Sequence, residues 1–238
     1  MTLSYHTIVF DETGIEKLEM GVRESLKASD QTVKANGGYI YLFLKRFFDI
    51  ILSLWSIVVL APLMIIIAIL ICLDDKGSPI FSQVRFTKNG KPFKMYKFRS
   101  MCMDAEEKIK DLVKHNEQDG LAFKMKRDPR ITKIGKFIRK TSIDELPQLF
   151  NILMGDMTIV GPRPPLPREV VGYTPYQMNR LLVKGGLTCF WQCSGRSKLT
   201  FEDWVNMDIE YIRQQNLWVD AKIILKTAVA VCKMDGAA

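Results

Sequence analysis

From Ile50 to Leu73 no residue carries a charge. The run reads IILSLWSIVVLAPLMIIIAILICL, and roughly 20 apolar residues suffice to cross a bilayer as a helix. The segment is therefore predicted to enter a membrane. Tyr39, Tyr41, Phe43, Phe47 and Phe48 precede it as an aromatic collar, the arrangement expected where lipid meets water. Pro62 falls inside the run, where it removes a backbone hydrogen bond and bends a helix. Lys34, Lys45 and Arg46 lie before the run; Lys76, Arg85, Lys88 and Lys91 lie after it. The positive-inside rule favours both basic flanks on the cytoplasmic side. Two helical halves bent at Pro62, dipping into one leaflet and returning, would satisfy it. A kinked spanning helix is the alternative, since membrane helices tolerate proline. The residues leave both open.

The run divides the chain into three parts. Residues 1–38 form a polar extension with one marginal helix, GIEKLEMGVRESLKA. No apolar stretch lies near Met1, so no signal peptide is expected. Residues 39–74 are the membrane segment. Residues 75–238 have the composition of a soluble domain with basic surfaces. Within them SPIFSQVRFTKNGKPFKMYKFRSM alternates short apolar runs around a turn signal and predicts a hairpin. MDAEEKIKDLVKHN predicts a polar helix. In DPRITKIGKFIRKTS, Ile131, Ile134 and Ile138 share a helical face while Lys133, Lys136, Arg139 and Lys140 crowd the others. Such a helix suits an anionic membrane surface, or equally a core face with a solvated basic side. FEDWVNMDIEYIRQQN and WVDAKIILKTAVAVCK predict two more helices.

The net charge of +8 favours anionic partners: nucleic acid, anionic lipid or a phosphorylated substrate. Five cysteines without a Cys-x-x-Cys pair suggest reduced thiols. Two histidines, His6 and His115, leave little material for a His-rich zinc site or a Ser-His-Asp arrangement. Enzymatic chemistry in this chain would rest on carboxylates, Lys, Arg or a hard cation.

TSIDELPQLF, Thr141 to Phe150, pairs Asp144 with Glu145. Ser142 and Glu145 fit a capping box. A start at Asp144 would put Pro147 at a tolerated early helical position instead. Both alternatives place the acids at a helix N-terminus, where the ionised carboxylate is favoured. A desolvated aspartate can also act as a covalent nucleophile, so capping and catalysis both stand. Further on, GPRPP sets Arg163 between Pro162 and Pro164, which limits its freedom; a preset guanidinium matches phosphate. Arg139 precedes the acids, and GLTCFWQCSGRS adds Arg196. Each of these arginines could also be a plain surface ion pair.

Taken together, the chain resembles the monotopic phosphoglycosyl transferases, the bacterial sugar transferase family, in a short form. The resemblance rests on Lys45 to Asp49, Pro62, YKFRSM (Tyr96 to Met101), RKTSIDELPQLFNILMGDMTIVGPRP (Arg139 to Pro164) and Gly195-Arg196. It covers roughly Tyr39 to the C-terminus. It implies an α+β fold: a mainly helical monotopic membrane protein with a Pro-kinked re-entrant helix and a small cytoplasmic α/β catalytic domain. It implies a UDP-sugar donor, a polyprenol phosphate acceptor, Mg2+ and a seat on the cytoplasmic face of a bacterial inner membrane. Carried over by position, Asp144 is the nucleophile and Glu145 its partner, and the two acids would also hold the metal. Arg139, Arg163, Pro162, Pro164, Lys97, Arg99, Gln148 and Arg196 would serve substrate or phosphate binding. No nucleic-acid partner is implied, and the oligomeric state, dimer included, is left open. Ala61 stands where the family often has Ser, Val84 where an acid is common, and Gly185 and Cys189 where Pro and Gly are usual. A basic membrane-tethered binding protein would explain the charge and the insert, but not IDELPQ followed by GPRP. A single-span enzyme with another lipid carrier is a second rival.

Overall fold

The computed structural model describes residues 11–28, 33–105, 108, 128–193 and 199–232. The chain builds α1 (Glu12–Ala28), α2 (Tyr39–Asp74), the strands β1 (Ile80–Phe86) and β2 (Pro92–Phe98), α3 (Lys133–Lys140) and α4 (Gln148–Met154). Then come β3 (Thr158–Val160), the short helices α5 (Pro167–Val171) and α6 (Pro175–Met178), β4 (Gly186–Thr188), α7 (Phe201–Gln214) and α8 (Leu217–Cys232). The polar helix expected from Met103 onward lies mostly outside the described residues, as do Gly195 and Arg196.

α2 is 36 residues long and runs through Pro62 as one helix. Straight, it would measure about 54 Å. It is the one helix among the described residues long and apolar enough to cross a membrane. Its surface is apolar and bare: Trp55, Val58, Val59, Ile65, Ile66 and Ile69 are all exposed. Water would make such a surface costly and lipid would not.

One stripe of α2 is covered, and it follows the helical repeat. Asp49 and Ser53 near its start and Ile67 and Ile71 near its end are buried. Between them Ile57 packs against the cluster of Phe93, Met95, Leu149, Ile152 and Met157. Ile67 and Ile71 join Phe98 and Ile138, with Met64, Ile134, Ile143 and Leu146 around them. The helix thus lies along the domain instead of projecting from it.

Its first turns are tied by charge. Lys45 Nζ reaches Asp220 Oδ2 at 2.6 Å and Tyr211 Oη at 3.1 Å. Arg46 donates to the carbonyls of Ile152 and Leu153 at 2.6 and 2.9 Å, and so caps the C-terminus of α4. Asp49 accepts from Thr158 Oγ1 at 2.7 Å and from the Ile159 amide at 2.9 Å. At the far end, Asp74 accepts from the Ile134 amide at 3.0 Å.

The two sheets are small. β1 and β2 form the expected antiparallel hairpin, Ile80 opposite Phe98 and Phe86 opposite Pro92. Its turn places Asn89 and Gly90 at positive φ, the residues that adopt it at least cost. β3 and β4 pair in parallel, Thr158 with Gly186 and Val160 with Thr188. α1 is more than an appendage. Val22 and Leu26 are buried against Phe86, Val170, Tyr173, Met178 and Leu181. Val33 is buried beside Val160, Ile209 and Ile212, and the Asn36 amide donates to Ile212. The N-terminal segment therefore clasps two faces of the domain.

Candidate active site

The acid pair does not open an α-helix. α3 stops at Thr141, whose hydroxyl takes the carbonyls of Phe137 and Ile138. Ser142 then turns left-handed, with φ 58°, a conformation that costs roughly 1–2 kcal/mol for a residue with a Cβ. Asp144 and Glu145 follow on a single 3-10 turn, Ile143–Glu145. α4 starts only at Gln148, with Pro147 as its N-cap. The Ser142 side chain makes no capping bond, so neither the capping box nor a helix start at Asp144 occurs. Pro147 lacks the N–H that a helix starting at Ser142 would need; a start at Asp144 is replaced by i→i−3 bonds, Glu145 to Ser142 and Leu146 to Ile143, which keep the acids on the 3-10 turn.

Three contacts hold this turn. Leu146 packs into the clusters on both sides of it. Asn151, fully buried, donates to the Lys94 carbonyl at 2.8 Å and accepts from the Tyr96 amide at 2.9 Å. It thereby pins α4 to the open edge of β2. β2 in turn delivers Lys97. Its ammonium lies 2.8 Å from Glu145 Oε1 and 3.8 Å from Asp144 Oδ2.

Asp144 is 8% exposed. Burial, helped by the charge of Glu145, pushes its carboxyl up to about 6 against the opposing pull of Lys97 and Arg139. The result is a desolvated acid, ionised at neutral pH, with a glutamate beside it and a lysine over both.

The other expected residues divide. Arg139 is near enough to Asp144 to act on its ionisation. Gln148 is buried at the first position of α4. Arg99 is turned elsewhere: its guanidinium donates to the backbone carbonyl of Asp75 and lies 3.8 Å from Asp75 Oδ2. It fastens the end of α2 to β2 and is not among the groups on the acid pair.

The GPRP loop is a second centre. Gly161 abuts Gly186 so closely that a Cβ on either would strike backbone. The Pro162 carbonyl accepts from Gly186 at 2.9 Å, and the Pro164 carbonyl accepts from Arg85 at 2.8 Å. Arg163 pairs with Glu169 at 3.1 Å, and its own carbonyl accepts from Arg180. Arg180 is paired with Asp208 at 2.8 Å. Burial opposes ionisation of Glu169, but Arg163 and Arg85 outweigh it and hold the carboxyl below its ordinary value. Burial and the nearby Arg163 push Arg85 down to about 9. Three guanidinium groups thus face two carboxylates, an excess of positive charge behind a rigid loop.

In the sequence Lys45 and Arg46 counted only as a basic flank, and Asp49 and Asn151 only as parts of quoted motifs; no site role was given to these four or to Glu169. The first three were visible as charges bounding the apolar run. Asn151 lay inside the quoted motif, but its partners Lys94 and Tyr96 lie far along the chain; Glu169 has its partners Leu166 and Arg163 close by, but no motif marked it.

An apolar helix laid along a small domain, with buried Asp144 and half-buried Glu145 under one lysine, is the arrangement of a membrane-associated protein with a clustered acid pair. The chain belongs to the bacterial sugar transferase family, whose sequence model matches residues 40–234. It is 48% identical over 200 residues to "Galactosyl transferase CpsE" of Streptococcus agalactiae serotype III (strain NEM316), covering 84% of this chain and 44% of the relative. It is 44% identical over 202 residues to "Undecaprenyl-phosphate galactose phosphotransferase" of Salmonella typhimurium, covering 82% and 42%. It is 36% identical over 196 residues to "Exopolysaccharide production protein ExoY" of Sinorhizobium fredii, covering 81% and 87%. The chain therefore spans less than half the length of the first two relatives and most of the third.

Proposed function

We propose that the protein is a membrane-bound phosphoglycosyl transferase. It moves a sugar-1-phosphate from a UDP-sugar to polyprenol phosphate, releases UMP, and begins a bacterial surface glycan at the cytoplasmic face of the inner membrane. The observation that carries this is Asp144: buried, raised to about 6, beside Glu145 and beneath Lys97. Such a carboxylate is ionised at neutral pH yet poorly solvated, the state a nucleophile needs.

In the first half-reaction an Asp144 oxygen bonds to the β-phosphorus of the donor. The bond from that phosphorus to the bridging oxygen breaks, and UMP leaves with the electron pair. In the second, a phosphate oxygen of the acceptor attacks the same phosphorus. The bond to Asp144 breaks, the carboxylate returns, and polyprenyl diphosphate sugar is the product. Lys97 offsets the charge of both acids as an anionic diphosphate approaches. Arg139 beside the pair and Arg163 in its locked loop are the candidate contacts to the donor, with Pro162, Pro164 and Gln148 shaping their surroundings.

Mg2+ fits the acid pair. Asp144 and Glu145 both present an oxygen to the Lys97 ammonium, at 3.8 and 2.8 Å, and Mg2+ is commonly held by one or two carboxylates together with substrate phosphates. No group of three or more His, Cys, Asp or Glu gathers among the described residues, so donor and water would complete its shell. When bound, it supplies neutralisation of the diphosphate charge.

α2 is read as re-entrant. The contacts along its length support this, since Arg46 and Asp49 at one end and Ile71 and Asp74 at the other hold one domain. A helix crossing a roughly 30 Å hydrocarbon core would part those contacts across two compartments.

Two of the relatives above carry galactose in their names, so UDP-galactose heads the donor panel. Detergent-purified protein should release UMP from at least one UDP-sugar. Absence of UMP with every donor, in the presence of Mg2+ and polyprenol phosphate, would remove the activity and favour a binding protein.

A further inference from the structure

A groove of about 410 Å³ lies between α2, the β1–β2 hairpin and the start of α4. That volume falls within the roughly 300–1,000 Å³ of ligand pockets. Ala61, Met64 and Ala68 form its α2 wall; Tyr96, Pro147 and Phe150 stand opposite. Its surface is almost wholly apolar, so it offers a nucleotide or a sugar nothing to bond.

Its two ends differ. At one end stand Pro147, two residues past Glu145, and Tyr96, whose strand neighbour Lys97 turns to the opposite face of β2 and contacts both acids. The other opens on the bare side of α2, where Ile65 both lines the groove and is 61% exposed. The groove therefore runs from the surface proposed to meet lipid to the strand and turn that carry Lys97 and the acid pair. The room comes from two alanines, since larger side chains at 61 and 68 would fill it.

We infer that this groove holds the hydrocarbon chain of the lipid acceptor, its first isoprenoid units next to the phosphate, with Ala61 and Ala68 setting the space. The inference rests on the proposed reaction and adds to it the subsite for the chain. A phosphate that must reach Asp144 while its chain remains out of water needs an unbroken apolar path, and this groove is continuous with the apolar face of α2.

The test uses the full chain in lipid nanodiscs and follows the two half-reactions separately. Ala61→Phe narrows the groove; Phe150→Ala removes its opposite wall. Both should release UMP from donor alone within about twofold of the parent. For long-chain polyprenol phosphate, KM should rise about tenfold or more. For phosphate esterified to a single isoprene unit it should barely move. A polyprenol phosphate with a diazirine on its first isoprene units should label residues 61–68 or Phe150. If Ala61→Phe also loses donor turnover, Phe150→Ala and the label decide. Unchanged long-chain KM in Phe150→Ala, a label outside the groove, or a label displaced by ordinary phospholipid would each overturn the inference. If the parent makes no UMP from any UDP-sugar, the proposed reaction fails on its own, and the label still judges the groove.

Discussion

Ionising Asp144 inside the fold costs free energy that a solvated aspartate does not pay. Its folded value, about 6, lies above the ordinary carboxylate value. Between about pH 4 and 6 the folded state therefore binds the more protons, and stability from this group falls as pH rises through that window. Asp144→Asn should consequently abolish UMP release and yet melt higher than the parent at pH 7.5, with the gap closing toward pH 4. Scanning calorimetry and nucleotide assays check both; retained turnover would strip Asp144 of its role. Lys97 lowers the Asp144 value, so Lys97→Met should move the acid limb of the donor half-reaction to higher pH, and an unmoved pH–rate profile would contradict it. The pairing of the two acids was legible in TSIDELPQLF. Its geometry was not: a left-handed Ser142 and a proline N-cap are settled by packing of Leu146 and by Asn151 on β2, contacts that no local pattern encodes.

At the scale of elements, α1 shows how a polar helix can matter to a core. Ile15, Leu18, Val22 and Leu26 recur at helical spacing and meet β1, α5 and α6. The composition of residues 1–38 suggested a marginal helix, and in isolation it would be one; the tertiary face it covers could not be read from the segment itself. Val22→Asp should cost several kcal/mol by burying an unpaired charge and lower Tm by several degrees, measured in detergent. No shift would mean that α1 is not docked in solution. The hairpin was legible because KNGKP names its own turn. The ties of α2 were half legible: charges at the ends of an apolar run call for partners, but Asp220 and Thr158 as those partners emerge only from the fold.

For the whole molecule, a basic chain with net charge +8 presents one long bare helix, and the two together favour an anionic lipid surface. If α2 returns to the leaflet it entered, single cysteines at 36 and 76 in a cysteine-free background should react with an impermeant maleimide from the same face of sealed vesicles. Reaction from opposite faces would restore the spanning alternative that Pro62 and the basic flanks left open. The family and a mainly helical chain with one long apolar helix were legible because the acid motif and the apolar run survive as contiguous strings; the groove was not, because it is assembled from α2, β2 and α4. All of this converges on a carboxylate that briefly bonds to the substrate's phosphorus. Incubating the protein with a turned-over UDP-sugar but no acceptor, quenching in acid and weighing the intact chain tests that directly. The account predicts one added sugar-phosphate mass, mapped to the peptide bearing Asp144 and lost on adding polyprenol phosphate. Product formation with no such mass at any time would contradict it.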